Sequence, residues 1–161
     1  MAWIRGSVLN LTVARDVPGY FLRQEENTVP EIIASTFVLA VHDASASACF
    51  YVDKLGFAED FRVDGWVFLS RGACRLRIGH CPDAVPMTRV PDHSWFAYLH
   101  VREAAELYRE CVAAGVELWH PLADKPWGMR EFAIVTPDGH RIVFGEVLAD
   151  ATPGRPSPDH A

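Results

Sequence analysis

At 161 residues the chain can bury a core without disulfide staples, and it fits one domain or two small modules sharing a core. Fifteen Lys and Arg against 21 Asp and Glu give a formal net charge of -6 with no basic block, so nucleic acid is not an expected partner. Cys49, Cys74, Cys81 and Cys111 form neither a CxxC pair nor a dense framework, and three of them lie in apolar runs where Cys acts as a small hydrophobe; a reducing cytoplasm is the expected compartment.

In chain order, the apolar run from Val8 to Ala14 is interrupted by Asn10 and Thr12 and stops at Arg15-Asp16, which predicts neither a signal peptide nor a membrane anchor. Val8 to Val13 is a candidate strand, and Arg15 to Pro30 is polar and punctuated by Pro18, Gly19 and Pro30. Residues 1–34 therefore read as an N-terminal extension, either an arm or an added strand. From Ser35 the pattern is regular. Thr36 to Val41 is an apolar strand, and Ala44 to Lys54 is a helix with Ala44, Ala48, Tyr51 and Leu55 on one face, stopped by Gly56. Phe61 to Val63, Trp66 to Ser70 and Cys74 to Gly79 are three short strands separated by Asp64-Gly65 and Arg71-Gly72.

The proline-containing segment Cys81 to Pro91 reads as a linker, after which the pattern restarts. Trp95 to Val101 is a strand, and Arg102 to Ala114 is a helix with Ala104, Leu107, Tyr108, Cys111 and Ala114 on one face, stopped by Gly115. An offset of 59 lays Phe96 on Phe37, Ala105 on Ala46 and Gly115 on Gly56, an internal repeat. Glu131 to Thr136 and Arg141 to Val147 are strands joined by Pro137-Asp138-Gly139. Trp127, between Pro126 and Gly128, sits in a loop read as an insertion of the second unit, where a large apolar side chain either tucks into the core or meets a ligand. The predicted fold class is α+β: two βαβββ modules forming curved mixed sheets (35–80 and 92–148 within a domain of 35–148), with 149–161 a flexible tail.

Two such units, with Leu55-Gly56-Phe57 after the first helix and Pro137-Asp138-Gly139 before the last strand, resemble the vicinal oxygen chelate superfamily of glyoxalases, extradiol dioxygenases and bleomycin-resistance proteins. Catalytic members hold a divalent ion with His or Gln from the first strand of each unit and Glu from the last. The resemblance carries those slots to Phe37, Phe96, Arg75 and Val143, none of which suits a cation. His42, His80, His93, His100, His120 and His140 share no ligand spacing and read as exposed or capped. No metal, cofactor or catalytic residue is expected, the alternative being an enzyme with displaced ligands drawn from Glu131, Glu146, His100 or His140.

The run Pro126-Trp127-Gly128, Arg130-Glu131-Phe132-Ala133, Pro137-Asp138-Gly139 resembles the bleomycin-resistance branch, with Met129 as one extra residue. That resemblance implies a homodimer that sequesters a flat aromatic ligand between two rings, and it places Trp127 at the first position and Trp66 at the second. Trp66 alternates with Phe68 and reads equally well as core. Phe61, Phe68, Tyr98 and Arg75 complete the candidate ligand-binding set. Phe37 and Phe96 read as core beside Tyr98 in the former metal cavity. Arg75 and Arg77 alternate with Leu76 and Ile78 and so point away from the core; if they line the site, they favour an anion. The expected partners are a small aromatic ligand and a second copy of the chain, with no membrane.

Overall fold

Asp43 starts the first helix by an ordinary cap. Its backbone is extended and its carboxylate accepts from the N–H groups of Ser45 and Ala46 at 2.9 and 3.0 Å. Helix α1 (Ala44–Leu55) buries Ala44, Ala48, Tyr51 and Leu55 and ends on Gly56, whose φ of 62° is the left-handed turn that glycine takes without strain. The computed structural model describes residues 32–90 and 93–149, so nearly all of the N-terminal extension and of the tail lies outside the described residues.

Around α1 the chain lays down β1 (Phe37–Val41), β2 (Ala58–Val63), β3 (Trp66–Arg71) and β4 (Cys74–His80). The second unit repeats the order with β5 (Trp95–His100), α2 (Ala104–Ala113), β6 (Glu117–Asp124), β7 (Met129–Val135) and β8 (Arg141–Val147). Each unit makes a mixed four-stranded sheet, β1-β4-β3-β2 and β5-β8-β7-β6, with the first and last strands parallel and the other pairs antiparallel. The fold class is as predicted, α+β with two βαβββ modules. Between them the proline-containing linker holds a short 3₁₀ turn, Met87–Arg89. No described helix is long and apolar enough to cross a membrane.

One face of each sheet is covered by its helix. Leu39, Val41, Val67, Leu69, Leu76 and Ile78 turn toward α1, and Phe132, Ile134, Ile142 and Phe144 turn toward the side of α2 that carries Leu107 and Cys111. Helix α2 starts later than the periodicity predicts. Glu103 takes a left-handed φ of 58°, and the Glu146 carboxylate accepts from the N–H groups of Glu103 and Ala104 at 2.8 and 3.0 Å, which closes the exposed helix end.

The modules meet along a narrow seam. The Phe37 and Phe96 rings touch edge to face at 5.7 Å, Lys54 Nζ donates to the carbonyl of Ala114 at 2.8 Å, and Ser47 Oγ donates to the Asp138 carboxylate of the turn that precedes β8. Gly139 in that turn has φ of 85°, and a Cβ there would lie 2.5 Å from the backbone nitrogen of Thr88, so the position admits only glycine on two counts. Among the described residues, the Tyr51 hydroxyl and His140 Nδ1 are buried at this seam without a partner.

Three expectations are corrected here. Only Cys111 is buried, where desolvation pushes its thiol up to about 11; Cys74 and Cys81 are half-buried and Cys49 is exposed, so the apolar runs around them do not translate into burial. His140 is buried rather than exposed, packed edge to face against Phe96 at 5.6 Å. The Trp127 segment is not an inserted loop. It is the turn between β6 and β7, and the extra length of the second unit is spread over the bulged strand β6, that turn, β7 and the turn before β8.

Candidate functional site

Period-two alternation leaves each sheet with a second face that neither described helix covers. In the first sheet the residues alternating with the buried Val67, Leu69, Leu76 and Ile78 are Trp66, Phe68, Ser70, Arg75, Arg77 and Gly79, and strand pairing sets Trp66 opposite Gly79, Phe68 opposite Arg77 and Ser70 opposite Arg75. A bulge between Glu59 and Phe61 brings Phe61 opposite Phe68, and the two rings stack at 4.1 Å with planes 16° apart. The Arg77 guanidinium lies 4.8 Å from the centre of the Phe68 ring. Trp66 is 39% exposed, which settles the choice between core and open face. Its ring lies down on β4, where a Cβ on Gly79 would stand 2.8 Å from it. Arg75 is exposed on the same face, its Nη1 donating to the carbonyls of Gly72 and Cys74 at 2.6 and 3.0 Å.

The second sheet answers with Tyr98, Glu131 and Trp127. Tyr98, opposite Val143, lies across β8 so closely that a Cβ on Gly145 would collide with its hydroxyl. Its O–H donates to Glu131 Oε1 at 2.7 Å, and the Trp127 Nε1–H donates to the same oxygen at 2.8 Å. Glu131, on β7 and nearly buried, thus fixes two rings with one carboxylate. Desolvation, with the Glu131 hydrogen bond added, raises the Tyr98 phenol well above the usual tyrosine range, so it stays a donor. Trp127 is held by its edge while 53% of its surface remains open, and the Lys125 ammonium lies 5.9 Å from its ring centre.

All six candidate residues therefore lie on, or at the tip of, uncovered sheet faces, in two groups. Phe61, Trp66, Phe68 and Arg75 belong to the first sheet, Tyr98 and Trp127 to the second. Among the described ring contacts none joins Trp66 to Trp127. A cavity of about 770 Å³ between the modules is lined by Phe37, Arg71, Tyr98, His100 and Glu110 among others, and by neither of these Trp residues.

The family's metal positions do not fit a cation here, though for a corrected reason. Phe37 and Phe96 pack with the core, one register step away from the open face, so in the first module the open first-strand positions are Val38 and Ala40, and in the second Tyr98. The last-strand positions remain Arg75 and Val143. Nor do the four alternative ligands converge. Glu131 holds two ring donors, Glu146 caps α2, His100 leans on Tyr98 with ring centres 5.1 Å apart, and His140 is buried at the seam. Among the described residues no three His, Cys, Asp or Glu side chains gather as a metal site.

Sequence reasoning missed the glycines beneath the rings, the role of Glu131 as their common acceptor, and a second aromatic group on the same face, Trp95, Trp119 and Arg141. The Glu131 signal was within the Arg130-Glu131-Phe132 run, and the two glycines stand in regular stretches of β4 and β8; the second aromatic group depends on bulges that leave no mark on the sequence.

A profile of the glyoxalase/bleomycin resistance protein/dioxygenase superfamily matches residues 33–144. The chain is 34% identical over 121 residues to a bleomycin resistance protein of Klebsiella pneumoniae, a match covering 69% of this chain and 91% of that one. The bleomycin-binding protein of Streptomyces verticillus, solved in complex with copper(II)-bleomycin, is similar with a TM-score of 0.59 at 27% identity, over 76% of this chain and 100% of that one. The bleomycin resistance determinant encoded on transposon Tn5 gives a TM-score of 0.57 at 30% identity, over 72% and 97% of the two chains.

Proposed function

Because the chain belongs to the glyoxalase/bleomycin resistance protein/dioxygenase superfamily, in its bleomycin-resistance-like branch, we propose that it is a metal-free cytoplasmic binding protein that sequesters a flat aromatic drug or metabolite without turning it over. In this reading two copies pair so that the open face of a first sheet meets the open face of a second, and the ligand lies between Trp66 and Trp127 in the crevice so formed. The observation that carries it is the exposure of these two indoles on uncovered sheet faces, one flat over Gly79 and the other pinned by Glu131. Rings fixed in orientation but open on one side lose little freedom when a flat molecule stacks on them. The open face of the first sheet also exposes Val38, Val63 and Phe61, apolar surface that pairing would cover.

The test is a titration of metal-stripped protein with bleomycin and a panel of flat aromatic antibiotics, read by tryptophan fluorescence, with sedimentation equilibrium on the same samples. Saturable quenching near one ligand per subunit in a dimer supports the reading. A response that appears only when a divalent metal is restored sinks it in favour of an enzyme.

A further inference from the structure

Arg141 is 5% exposed, yet among the described residues no carboxylate pairs with its guanidinium. Its neighbours are rings: its Cζ lies 3.5 Å from the centre of Trp119 and 5.2 Å from that of Trp95. Trp95 and Trp119 are themselves 39% and 42% exposed, and each stands near His120, at 6.5 and 5.8 Å between ring centres. Indoles attract a guanidinium through its flat face, and that leaves the N–H groups of its rim, five donors in one plane, for other acceptors; the Arg141 nitrogens are not among the buried atoms left without a partner. A guanidinium gripped by its faces is held in one plane, and the group that matches its rim is an oxyanion meeting it in a two-point hydrogen bond.

The group belongs to the ligand-facing side of the sheet. Arg141 alternates with the buried Ile142 and so shares a face with Val143 and Gly145, under Tyr98. Strand β5 carries one extra residue between Trp95 and Ala97, which restores Trp95 to the position opposite Arg141, and β6 carries another between Leu118 and His120, at Trp119. Two bulges on two different strands thus converge on one guanidinium, and re-aiming side chains is what bulges at a site do. The first sheet adds charge of the same sign: on the open face of β4, Arg75 and Arg77 form no ion pair among the described residues.

We propose that Arg141, clamped by Trp95 and Trp119, is an oxyanion subsite on the open face of the second sheet, so that the flat aromatic molecule taken up by this protein is an acid bearing a carboxylate, sulfonate or phosphate. The proposal rests on the capture reading above and names the class of molecule captured.

The experiment is calorimetric titration of the full chain with 2-naphthoate and with its neutral counterpart 2-naphthamide, for the parent protein, Arg141→Gln and Arg141→Lys. The parent is expected to favour the acid by about tenfold or more, the usual weight of a charge-assisted two-point bond. Arg141→Gln should remove that preference while keeping its affinity for the amide. Arg141→Lys, which keeps the charge but loses the planar fork, should retain only a fraction of the preference and serves as the folded control if the Gln variant does not fold. Equal affinities in the parent overturn the subsite, as does a preference that survives in Arg141→Gln, or in Arg141→Lys undiminished. A parent that binds neither compound also overturns it. In that case the capture reading stands or falls on the antibiotic panel, none of whose members needs to be an acid. Unchanged preference together with a weaker dimer in Arg141→Gln would overturn it too, by assigning the guanidinium to a carboxylate of a second copy.

Discussion

The Trp127 indole and the Tyr98 phenol come from different strands yet donate to the same oxygen, Glu131 Oε1, at 2.8 and 2.7 Å. One carboxylate therefore sets the attitude of both rings, and removing it should disorder both together. Glu131→Gln keeps an oxygen that accepts two donors and should bind the aromatic panel within about threefold of the parent, whereas Glu131→Leu leaves both donors unmet and should weaken binding about tenfold or more. Equal affinities for the Leu and Gln variants would show that ring orientation is set elsewhere.

Trp127 is the exposed member of that trio. Stacking one ring on a flat ligand is commonly worth ~1–3 kcal/mol, so Trp127→Ala should weaken binding by roughly five- to a hundredfold. Because the ring is half in water, the melting temperature should move by no more than about 4 °C. A large fall in melting temperature with affinity intact would make Trp127 a structural side chain.

The glycines test the two open faces from below. Gly79→Ala puts a methyl 2.8 Å from the Trp66 ring and Gly145→Ala puts one on the Tyr98 hydroxyl, so each must lift its ring off the sheet. Neither glycine has a positive φ, and alanine recovers ~0.4–1 kcal/mol of chain entropy, which offsets part of the strain. The expected outcome is a melting temperature within a few degrees of the parent and weaker ligand binding in both variants. Unaltered binding by either variant would place its ring outside the site.

His140 should make stability depend on pH. Burial lowers its pKa in the folded chain, against a smaller opposing pull from Asp138, while the unfolded chain titrates near ~6.5. Above that pH both states hold His140 neutral and its protonation adds nothing to the balance. As the pH falls through ~6.5 the unfolded state takes up the proton first, so stability declines until the folded value is reached, by at most about 1.4 kcal/mol per pH unit. Melts between pH 7.5 and 5.5 should show the parent losing stability and His140→Gln losing less. Parallel curves for the two proteins would remove His140 as the source.

Much of the scaffold was legible in the chain because its signals are local. Gly56 and Gly115 stop their helices with φ of 62° and 69°, the faces predicted for α1 and α2 are the buried ones, and the 59-residue offset superposes Phe37 on Phe96, which turn out to touch across the seam. The site was half legible. Trp66, Phe68 and Arg75 lie in regular strands where alternation is a sound guide, and they stand on the open face. Alternation fails at a bulge, because one extra residue exchanges the two faces downstream of it. That is why Trp95 and Trp119 went unread, and why Arg141, which makes sense only beside them, went unread with them. The second strand of the second unit was not assigned for the same reason, since two irregularities break its period. Trp127 was found by its setting between Pro126 and Gly128, but its length of chain was misread as an insertion because the added residues are dispersed.

The bulges have one more consequence. Strands β2 and β6 each form one of the two edges of their sheets, and a straight edge strand is a template on which further chains can add without end. β2 is kinked at Asp60 and carries Glu59 and Arg62 as an ion pair, and β6 is twice irregular and holds Pro121, which offers no N–H to a neighbour. The departures from regularity that turn Phe61 and Trp119 toward the open faces also blunt the outer rims. A protein that leaves this much aromatic surface uncovered is thereby protected from fibril-like growth at those two rims.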